Sequence, residues 1–341
     1  GARLLAARLS APVTDANVIA ARLDMIGFFI DAPAVRSDLI GHLRHCPDMM
    51  RALSRLTVKR GGPRDLAAIR DGLGVAADIQ GLLADPDLMP PDGVTAAQRS
   101  LGPHDTLRDR LGRALAENLP LLARDGGFIA AGYSPELDGF RKLRDEGRRL
   151  IANLESRYRS ESGVESLKIK HNNVLGYFIE ITPRHAEKMG EAFIHRQTLA
   201  SAMRYSTVEL ADLARDISEA ADKVLAIELA LYDDVVGEVT ARSDAIAATA
   251  DGLAALDVAA ALADLAQARR FCRPEFEDAP VFDIRGGRHP VVEVSLEGVA
   301  FVPNDCDLAA DRRLWLITGP NMAGKSTFLR QNALIAILAQ M

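Results

Sequence analysis

The architecture of the chain follows from the run "SPELDGFRKLRDEGRRLIANLESRY", Ser134 to Tyr158. Its apolar residues recur at three- and four-residue steps, which predicts one face of a long α-helix. They are Leu137, Phe140, Leu143, Gly147, Leu150, Leu154 and Tyr158. A second run with this periodicity follows, and no proline occurs between Pro183 and Pro274. Its apolar residues are Leu210, Leu213, Ile217, Val224, Ile227, Leu231 and Val235. We therefore expect an antiparallel stalk of two long helices.

The pattern between these helices has a period of two. In "LKIKHNNVLGYFIEIT", Leu167 to Thr182, alternate residues are apolar, which is typical of half-buried strands. Asn172-Asn173 and Gly176 indicate a hairpin or a longer loop between two strands. From Ser166 to Tyr205 six basic residues stand against three acidic ones, a net of +3 in a chain of net charge −6. The tip of the stalk is therefore either a phosphate-contacting surface or an ordinary exposed module.

The N-terminal part, residues 1–133, has the turn chemistry of short helices. Thr14 or Asp15 is a suitable N-cap for a helix that follows. A further helix is predicted to end near Gly61-Gly62, and another to begin after Pro63. The apolar face of that last helix consists of Leu66, Ile69 and Leu73.

Composition excludes several classes of protein. Hydrophobic residues make up 48% of the 341 residues and aromatic residues only 5%, which favours a helical protein with more than one domain. Cys46, Cys272 and Cys306 have neither disulfide nor metal spacing, so a reduced, cytoplasmic setting is expected. No apolar run approaches the ~18 residues that span a bilayer, so no membrane partner is expected.

The run "WLITGPNMAGKSTFLRQ", Trp315 to Gln331, has the spacing of a phosphate-binding loop. The preceding "RRLWLITGP" is predicted to be a buried strand, and a helix is predicted after the loop. Gly319 and Gly324 would let backbone N–H groups wrap around phosphates. Lys325 would reach the β- and γ-phosphates, and Ser326 would give a hydroxyl to Mg²⁺. The sequence therefore predicts binding of a nucleotide with Mg²⁺; the alternative is a tight strand–helix turn without a ligand.

Hydrolysis needs carboxylates on a neighbouring strand, and no such strand follows the loop. Asp233-Asp234 lies in the middle of the second predicted stalk helix, where it cannot end a strand. We therefore expect a fragment cut inside its ATPase domain. No catalytic residue is assigned within it, because the acidic strand (Walker B) is missing. The longer parent would be an ATPase, and the chain alone is expected to be inactive.

Rare blocks along the chain resemble the MutS family of DNA mismatch-repair ATPases. The loop "TGPNMAGKSTFLRQNALIA" is similar to the family's phosphate loop. The other blocks occur in the family's order: "GARLLAARLSAPVTD", "GPRDLAAIR", "LLARDGGFIAAGYSPELD", "LKIKHNNVLGYFIEIT" with "RQTLASAMRYSTVEL", and "GGRHPVVE".

The resemblance implies a mostly α fold with a small β clamp insertion, followed by the beginning of an α/β P-loop (ABC-type) ATPase domain. Its expected parts are a helical core domain (1–133), a lever helix (134–164), a β-containing DNA clamp (165–206), a returning lever helix and core (207–269) and the N-terminal part of the ATPase domain (270–341).

The resemblance also implies site residues. The nucleotide would be held by Phe301, stacked on adenine, and by Gly319, Pro320, Asn321, Met322, Ala323, Gly324, Lys325, Ser326 and Thr327, with Ser326 on Mg²⁺. The clamp would touch the DNA backbone through Arg184, Lys188, Arg196, Gln197, Thr198, Ser201 and Arg204. The sequence departs from the family at Ala323, commonly Gly, and at Ala200-Ser201, commonly Lys-Asn.

In this family, dimers encircle mismatched double-stranded DNA, and ATP converts them to a sliding clamp that recruits a MutL-like factor. The resemblance therefore implies ATP-dependent mismatch recognition by a homodimer. One alternative is a MutS relative that lacks the mismatch-reading wedge and binds recombination junctions. Others are a helical-stalk ATPase of the chromosome-maintenance type, disfavoured by stalk length, and a non-catalytic helical DNA-binding or interaction module with a vestigial P-loop.

Overall fold

The computed structural model describes residues 1–172, 174–277, 279–296, 300–320 and 322–341. The described residues are mostly helical and include two small antiparallel sheets. The helices are α1 (Ala2–Ser10), α2 (Ala16–Asp31), α3 (Pro33–Leu43), α4 (Met49–Thr57), α5 (Pro63–Leu82), α6 (Asp92–Ser100), α7 (Asp105–Ala114), α8 (Pro135–Ser162), α9 (Val208–Ala241), α10 (Ser243–Arg269), α11 (Val292–Ser295) and α12 (Lys325–Ala339). The strands are β1 (Lys168–Asn172), β2 (Gly176–Ile181), β3 (Ile194–Thr198), β4 (Met203–Ser206), β5 (Phe282–Gly287) and β6 (Asn304–Leu308). The expectation of a mostly α fold with a small β insertion is confirmed.

Two compact units share the chain. The first contains Gly1–Met50, Asp71–His104 and Arg242–Met341, and the second contains Arg51–Arg70 and Asp105–Ala241.

In the first unit, α10 is the central helix, and α1, α2, α3 and α6 pack against it. A small residue permits the close approach to α6, because a Cβ on Gly252 would overlap Ser100 Oγ. Thr249, one turn earlier, has its Oγ1 2.8 Å from His104 Nε2 and 3.0 Å from the Ser100 carbonyl oxygen. Asp15, one of the two predicted caps, accepts hydrogen bonds from the backbone of Asn17 and Val18 at the start of α2.

Contrary to the sequence-based expectation, α10 is long and apolar enough to cross a bilayer by length and composition alone. Its most apolar 18-residue window has a mean hydropathy of 1.6, and 44% of that window is buried inside the unit. Core helices of soluble proteins pass the same test, so the composition of α10 is weak support for a membrane span.

In the second unit, α8 and α9 pack along each other as the predicted stalk. Two leucines of the predicted stripe are nevertheless solvent-exposed, Leu143 by 57% and Leu150 by 53%. At the turn of Leu150 the buried side chain is its neighbour, Ile151. Successive helical residues are separated by ~100°, so the inward position at this turn is shifted by one residue from the predicted stripe. The other five members of the stripe are buried or partly buried, as predicted.

The predicted hairpin is confirmed between β1 and β2, although Asn173 lies outside the described residues. The Asn172 side chain accepts hydrogen bonds from the backbone of Val174 (3.0 Å) and Leu175 (2.7 Å). Gly176 has φ +65°, a conformation that glycine adopts without strain. The sheet has the order β1-β2-β4-β3 and is antiparallel throughout.

Apolar residues of this sheet share a core with the outer half of the stalk. Leu167, Ile179, Ile181 and Tyr205 are buried with residues of α8 and α9, and Ile169 and Tyr177 are partly buried beside them. The predicted common face of β1 and β2 is therefore confirmed.

In the C-terminal part, β5 pairs with β6, and α12 packs against β5. The prediction of a buried strand in "RRLWLITGP" is wrong: residues 313–320 form no strand, and Leu314 and Leu316 are exposed by 84% and 88%. No described strand pairs with this stretch, so its backbone N–H and C=O groups gain no ladder hydrogen bonds. After Pro290, Val292–Ser295 forms the short helix α11.

Candidate functional site

The glycine-containing loop from Gly319 to Gly324 has several residues with a positive φ. Gly319 has φ +146° and Gly324, immediately before α12, has φ +85°. Met322 also has a positive φ, +75°, which is uncommon for a residue with a side chain. The loop thus ends at the N-terminus of α12, where the first N–H groups of a helix have no intrahelical acceptor.

The amino group of Lys325 is turned back into the loop. It donates to the carbonyl oxygens of Gly319 and Pro320, the latter at 3.0 Å. The ammonium group, the helix N-terminus and its positive dipole end are the donor set that binds phosphate. These donors fit the phosphate groups of a nucleoside triphosphate.

The described residues of the loop offer few ligands for Mg²⁺. Ser326 and Thr327 open α12 and have hydroxyl oxygens suited to a hard cation. Among the described residues no group of three His, Cys, Asp or Glu side chains could hold a metal ion. Asp233 and Asp234 lie within α9, as expected. The described loop therefore supplies at most a hydroxyl ligand to a phosphate-bound Mg²⁺.

Three other predicted nucleotide residues are less well defined by the structure. Phe301 is half-buried and precedes β6, and no ring contact or hydrogen bond between described residues joins it to the loop. Ala323 donates its backbone N–H to the Pro320 carbonyl at 3.3 Å. Asn321 lies outside the described residues.

Buried polar side chains on α12 were not predicted. Gln331 is fully buried, and neither its Oε1 nor its Nε2 has a hydrogen-bond partner among the residues that the structure describes; the same holds for Oδ1 of Asn332. A Cβ on Gly287 of β5 would lie 2.7 Å from Gln331 Nε2. In the sequence, the polar run Arg330, Gln331 and Asn332 gives no sign that its two amides are buried and its arginine is exposed.

In the 165–206 segment, the two faces of the sheet differ in chemistry. The inner face carries the apolar residues that pack on the stalk. The outer face carries Lys168 opposite Glu180, Lys170 opposite Phe178, and Glu180 opposite Arg204. Lys168 and Lys170 were not assigned to DNA in the sequence analysis, although their alternation with Ile169 places both lysines on this outer face.

Glu180 is the centre of an ion-pair network on that face. Its carboxylate accepts from Lys170 Nζ at 2.6 Å and from Arg204 Nε at 3.3 Å. The hydrogen bond from Lys170, with a smaller contribution from Arg204, holds the pKa of Glu180 below its ordinary value. Arg204 also lies 4.5 Å above the Phe178 ring and donates to Gln197 Oε1 at 3.0 Å. Two predicted DNA residues, Gln197 and Arg204, are therefore joined to each other.

Strand β3 is an edge strand, and all five of its residues are exposed. Its register with β4 shifts between His195 and Gln197, so Arg196 is the extra residue of a bulge. Arg196 forms no ion pair among the described residues. Thr198 Oγ1 lies 2.9 Å from His195 Nε2, and Ser201 is exposed in the turn that leads to β4.

The remaining predicted DNA residues, Arg184 and Lys188, lie on a 3₁₀ turn, Pro183–Lys188. Arg184 Nε donates to His185 Nε2 at 3.1 Å, and Lys188 Nζ reaches the Gly163 carbonyl at 3.4 Å. Both residues are exposed.

Hydrogen bonds fix the sheet to the stalk. Glu155 of α8 accepts from the backbone of Ile169 at 2.7 Å, and Arg159 donates to the Leu167 carbonyl at 2.7 Å. Tyr158 Oη lies 2.6 Å from Thr207 Oγ1, and burial raises the pKa of this tyrosine. Thr207 in turn caps α9 by accepting from the backbone of Leu210 at 3.0 Å. The basic sheet is therefore held rigidly at the end of two long helices.

Comparisons with known proteins match most of the chain. The family model described as MutS domain III matches residues 1–263, and the model described as MutS domain V matches residues 315–341. A protein of Nitrobacter hamburgensis named DNA mismatch repair protein MutS is 51% identical over 355 residues, which cover 100% of this chain and 39% of the relative. Proteins of the same name from Dinoroseobacter shibae and Rhodopseudomonas palustris are each 50% identical, again over 100% of this chain and over 40% and 39% of the relatives.

The chain thus spans about two-fifths of the length of the curated relatives that it matches. Because a domain model of this family covers residues 1–263, well over half of the sequence, the chain belongs to the MutS family.

Proposed function

We propose that this chain is part of an ATP-dependent DNA mismatch-recognition protein, and that it links a DNA clamp to a nucleotide loop. The observation that carries the proposal is the identity of about 50% over the entire chain to relatives named DNA mismatch repair protein MutS. The proposed parts are the helical core domain (1–133), the lever helix (134–164), the DNA clamp (165–206), the returning lever helix and core (207–269) and the start of the ATPase domain (270–341).

In the nucleotide site, the loop from Gly319 to Thr327 would enclose the phosphates of ATP. The ammonium group of Lys325 would exchange the carbonyls of Gly319 and Pro320 for phosphate oxygens, a stronger charge-assisted interaction. Ser326 would ligate Mg²⁺, and Phe301 would stack on the adenine. Binding and hydrolysis of the nucleotide would supply free energy. The longer protein would use this free energy to change how it binds DNA.

In the clamp, Arg184, Lys188, Arg196, Gln197, Thr198, Ser201 and Arg204 would contact phosphates and sugars of double-stranded DNA. The exposed edge strand β3 supports this proposal, because the side chains of all five residues reach solvent. Contacts of this kind carry affinity and orientation and no base sequence, as a clamp that closes over any duplex requires.

The complete protein would act in the cytoplasm as a homodimer, without a membrane partner. Nucleotide binding at the loop would convert the mismatch-bound dimer into a sliding clamp, which recruits a MutL-like downstream factor. The two long helices α8 and α9 are suited to transmit this change, because packed helices move as rigid elements.

Fluorescent ATP tests the nucleotide part of the proposal on this chain. With Mg²⁺ present, we expect saturable binding that Lys325→Ala weakens at least ~tenfold, since a charge-assisted contact to phosphate is lost. Lys142→Ala, an exposed lysine of α8, is the control and should leave binding unchanged. Equal binding by the Lys325→Ala variant and the unmodified chain would contradict the assignment.

Turnover is a separate readout. We expect no steady-state phosphate release from this chain, because hydrolysis needs carboxylates that hold Mg²⁺ and orient water. The acidic pair Asp233-Asp234 lies inside α9 and is not available for this purpose. Release above background that Lys325→Ala abolishes would contradict this expectation.

A further inference from the structure

The turn between α4 and α5 is the most basic stretch of the chain. From Arg51 to Arg70 six basic residues stand against a single acidic residue, Asp65, a net of +5 within a chain of net charge −6. This stretch belongs to the second unit, and neither the nucleotide loop nor the 165–206 segment includes it. Such a concentration of charge requires a reason beyond solubility.

The turn has a defined backbone structure, which explains why α4 ends at Thr57 and not near Gly61-Gly62 as predicted. The backbone N–H of Arg60 donates to the Arg55 carbonyl at 2.8 Å, and that of Lys59 donates to the Leu56 carbonyl at 3.0 Å. This pair of hydrogen bonds is the Schellman motif. In it, the first residue beyond the C-cap of the helix adopts a left-handed conformation and is usually glycine.

Here that residue is Lys59, with φ +55°. A side chain in the left-handed region costs ~1 kcal/mol relative to glycine. The chain places glycines at 61 and 62 but a lysine at the position that most favours one. Backbone strain of this kind is retained where the side chain has a use.

Other contacts hold the turn in one conformation. Asp65 accepts from the backbone N–H of Gly62 at 2.8 Å, which caps the start of α5. A Cβ on Gly62 would overlap the Leu121 carbonyl oxygen, so the segment before α8 packs directly on the turn. Arg64 Nε donates to the Leu119 carbonyl at 2.9 Å and fixes the same segment. The surface is therefore preorganised for a partner.

The charges at the tip of the turn are available. Arg55 lies 3.3 Å from Asp65, and Arg64 is occupied with a backbone carbonyl. Lys59 and Arg60 are exposed and form no ion pair among the residues that the structure describes. The neighbouring segment 117–125 contains Glu117, Arg124 and Asp125, a net charge of −1. Together with the +5 of residues 51–70, the net charge of the two segments is +4.

Apolar side chains are exposed on the turn itself and on the segment that packs against Gly62. Val58 is 59% exposed, Leu121 is 61% exposed and Leu122 is 42% exposed. A phosphate backbone would bury little of this apolar surface, whereas a peptide could cover it with its own apolar side chains. The combination of free cations and exposed aliphatic residues selects a protein partner over a nucleic acid.

We propose that the surface formed by Val58, Lys59, Arg60, Leu121 and Leu122 docks an acidic protein segment that carries aliphatic anchor residues. Carboxylates of the partner pair with Lys59 and Arg60, and its aliphatic side chains cover Val58 and Leu121. Buried apolar contacts at the centre and charged pairs at the rim are the usual arrangement of a protein interface.

Fluorescence anisotropy with this chain tests the proposal. The probes are a short labelled Glu-rich peptide with interspersed leucines and an all-Glu peptide of equal length. We expect Lys59→Gly with Arg60→Ser to weaken the Glu/Leu peptide roughly tenfold, the loss of two exposed charged contacts. Thermal stability should be unchanged or higher, since glycine is favoured at φ +55°. Leu121→Ser should weaken the Glu/Leu peptide and leave the all-Glu peptide unaffected.

The matched control removes the same charge from exposed residues of the stalk, Lys142→Ser with Arg215→Ser. Equal loss in both double variants would mean unspecific attraction and would overturn the proposal. An unchanged affinity in Leu121→Ser would do the same, because no aliphatic anchor would exist. A different outcome is that duplex DNA displaces the peptide from the unmodified chain and fails to bind the variant with Lys59→Gly and Arg60→Ser. That result would overturn the proposal and make the surface a nucleic-acid site.

Discussion

Gly147 of α8 lies directly against Ile217 of α9, so that a Cβ on Gly147 would stand 2.5 Å from Ile217 Cγ1. This contact is the closest approach of the stalk helices that a glycine on α8 makes possible. Both residues are buried, and Gly147 is the only member of its stripe without a side chain. The spacing of the two helices therefore depends on the absence of one methyl group.

We expect Gly147→Ala to lower the free energy of unfolding by ~1–2 kcal/mol. The added methyl group would overlap Ile217, and this overlap destabilises the fold by more than the higher helix propensity of alanine stabilises it. Urea denaturation followed by circular dichroism measures the change. Gly139→Ala on the same helix is the matched control, since no atom of the described residues lies within 4 Å of where its Cβ would stand. That control should stabilise the chain by up to ~1 kcal/mol. A gain in both variants would show that the helices can separate without cost.

The inner end of the stalk depends on a buried ion pair. Glu228 of α9 is 1% exposed, and its carboxylate accepts from Arg141 Nη2 at 2.5 Å and from the backbone of Gly127 at 2.7 Å. We expect Glu228→Gln to cost ~2–3 kcal/mol, because the amide retains one acceptor oxygen for two donors and leaves the arginine charge uncompensated.

The free energy of unfolding of this variant is compared with that of Glu219→Gln, an exposed residue of the same helix. A surface change of this kind should alter stability by less than ~0.5 kcal/mol. Similar values for the two variants would show that Arg141 is hydrated and that the pair is not a structural contact.

The stalk and the hairpin could be predicted because their signals are local. The apolar period of residues 137–158 and the Asn172–Gly176 turn each depend on neighbours within a few residues. The pair of Arg141 with Glu228 joins residues 87 apart in sequence, and no local pattern marks it. The sequence also does not predict that Ile151 is buried and Leu150 is exposed, since the two side chains are equally apolar.

The candidate sites show the same limit. The positive φ values of Gly319 and Gly324 are consistent with a local sequence signal, since few residues other than glycine adopt them. Whether residues 313–320 pair as a strand depends on neighbouring strands, which periodicity does not reveal. In the 165–206 segment, the alternation of Lys168 and Lys170 with Ile169 already places both lysines on the outer face. This alternation is a local signal, so the sequence alone is enough to find it.

The proposed clamp predicts a salt-dependent contribution from Arg196. We expect Arg196→Ala with Arg204→Ala to weaken binding of this chain to duplex DNA at low salt. The slope of log affinity against log salt should fall by ~0.9 for each lost phosphate contact. Anisotropy with labelled duplexes at several salt concentrations measures both quantities. Arg215→Ala on α9 is a control outside the sheet, and an unchanged affinity in the double variant would refute the clamp assignment.

Glu180 predicts a pH dependence of stability. Its hydrogen bond from Lys170, with a smaller contribution from Arg204, holds the pKa of the carboxyl below its ordinary value. A carboxyl with a lowered pKa in the folded state stabilises the fold at pH above the ordinary value of ~4.3. This stabilisation is lost as the pH falls through the folded-state pKa. We therefore expect Glu180→Gln to lower the urea midpoint at neutral pH and to have a diminishing effect in acid.

The same variant gives an independent readout on DNA. Because Glu180 neutralises part of the charge of Lys170 and Arg204, Glu180→Gln should bind duplex DNA more tightly at low salt while the fold is less stable at neutral pH. Glu187→Gln, an exposed residue of the same segment, is the control for net charge. A midpoint difference between Glu180→Gln and the unmodified chain that stays constant from neutral to acidic pH would show that the carboxylate, although within 2.6 Å of Lys170 Nζ, does not stabilise the sheet through its charge.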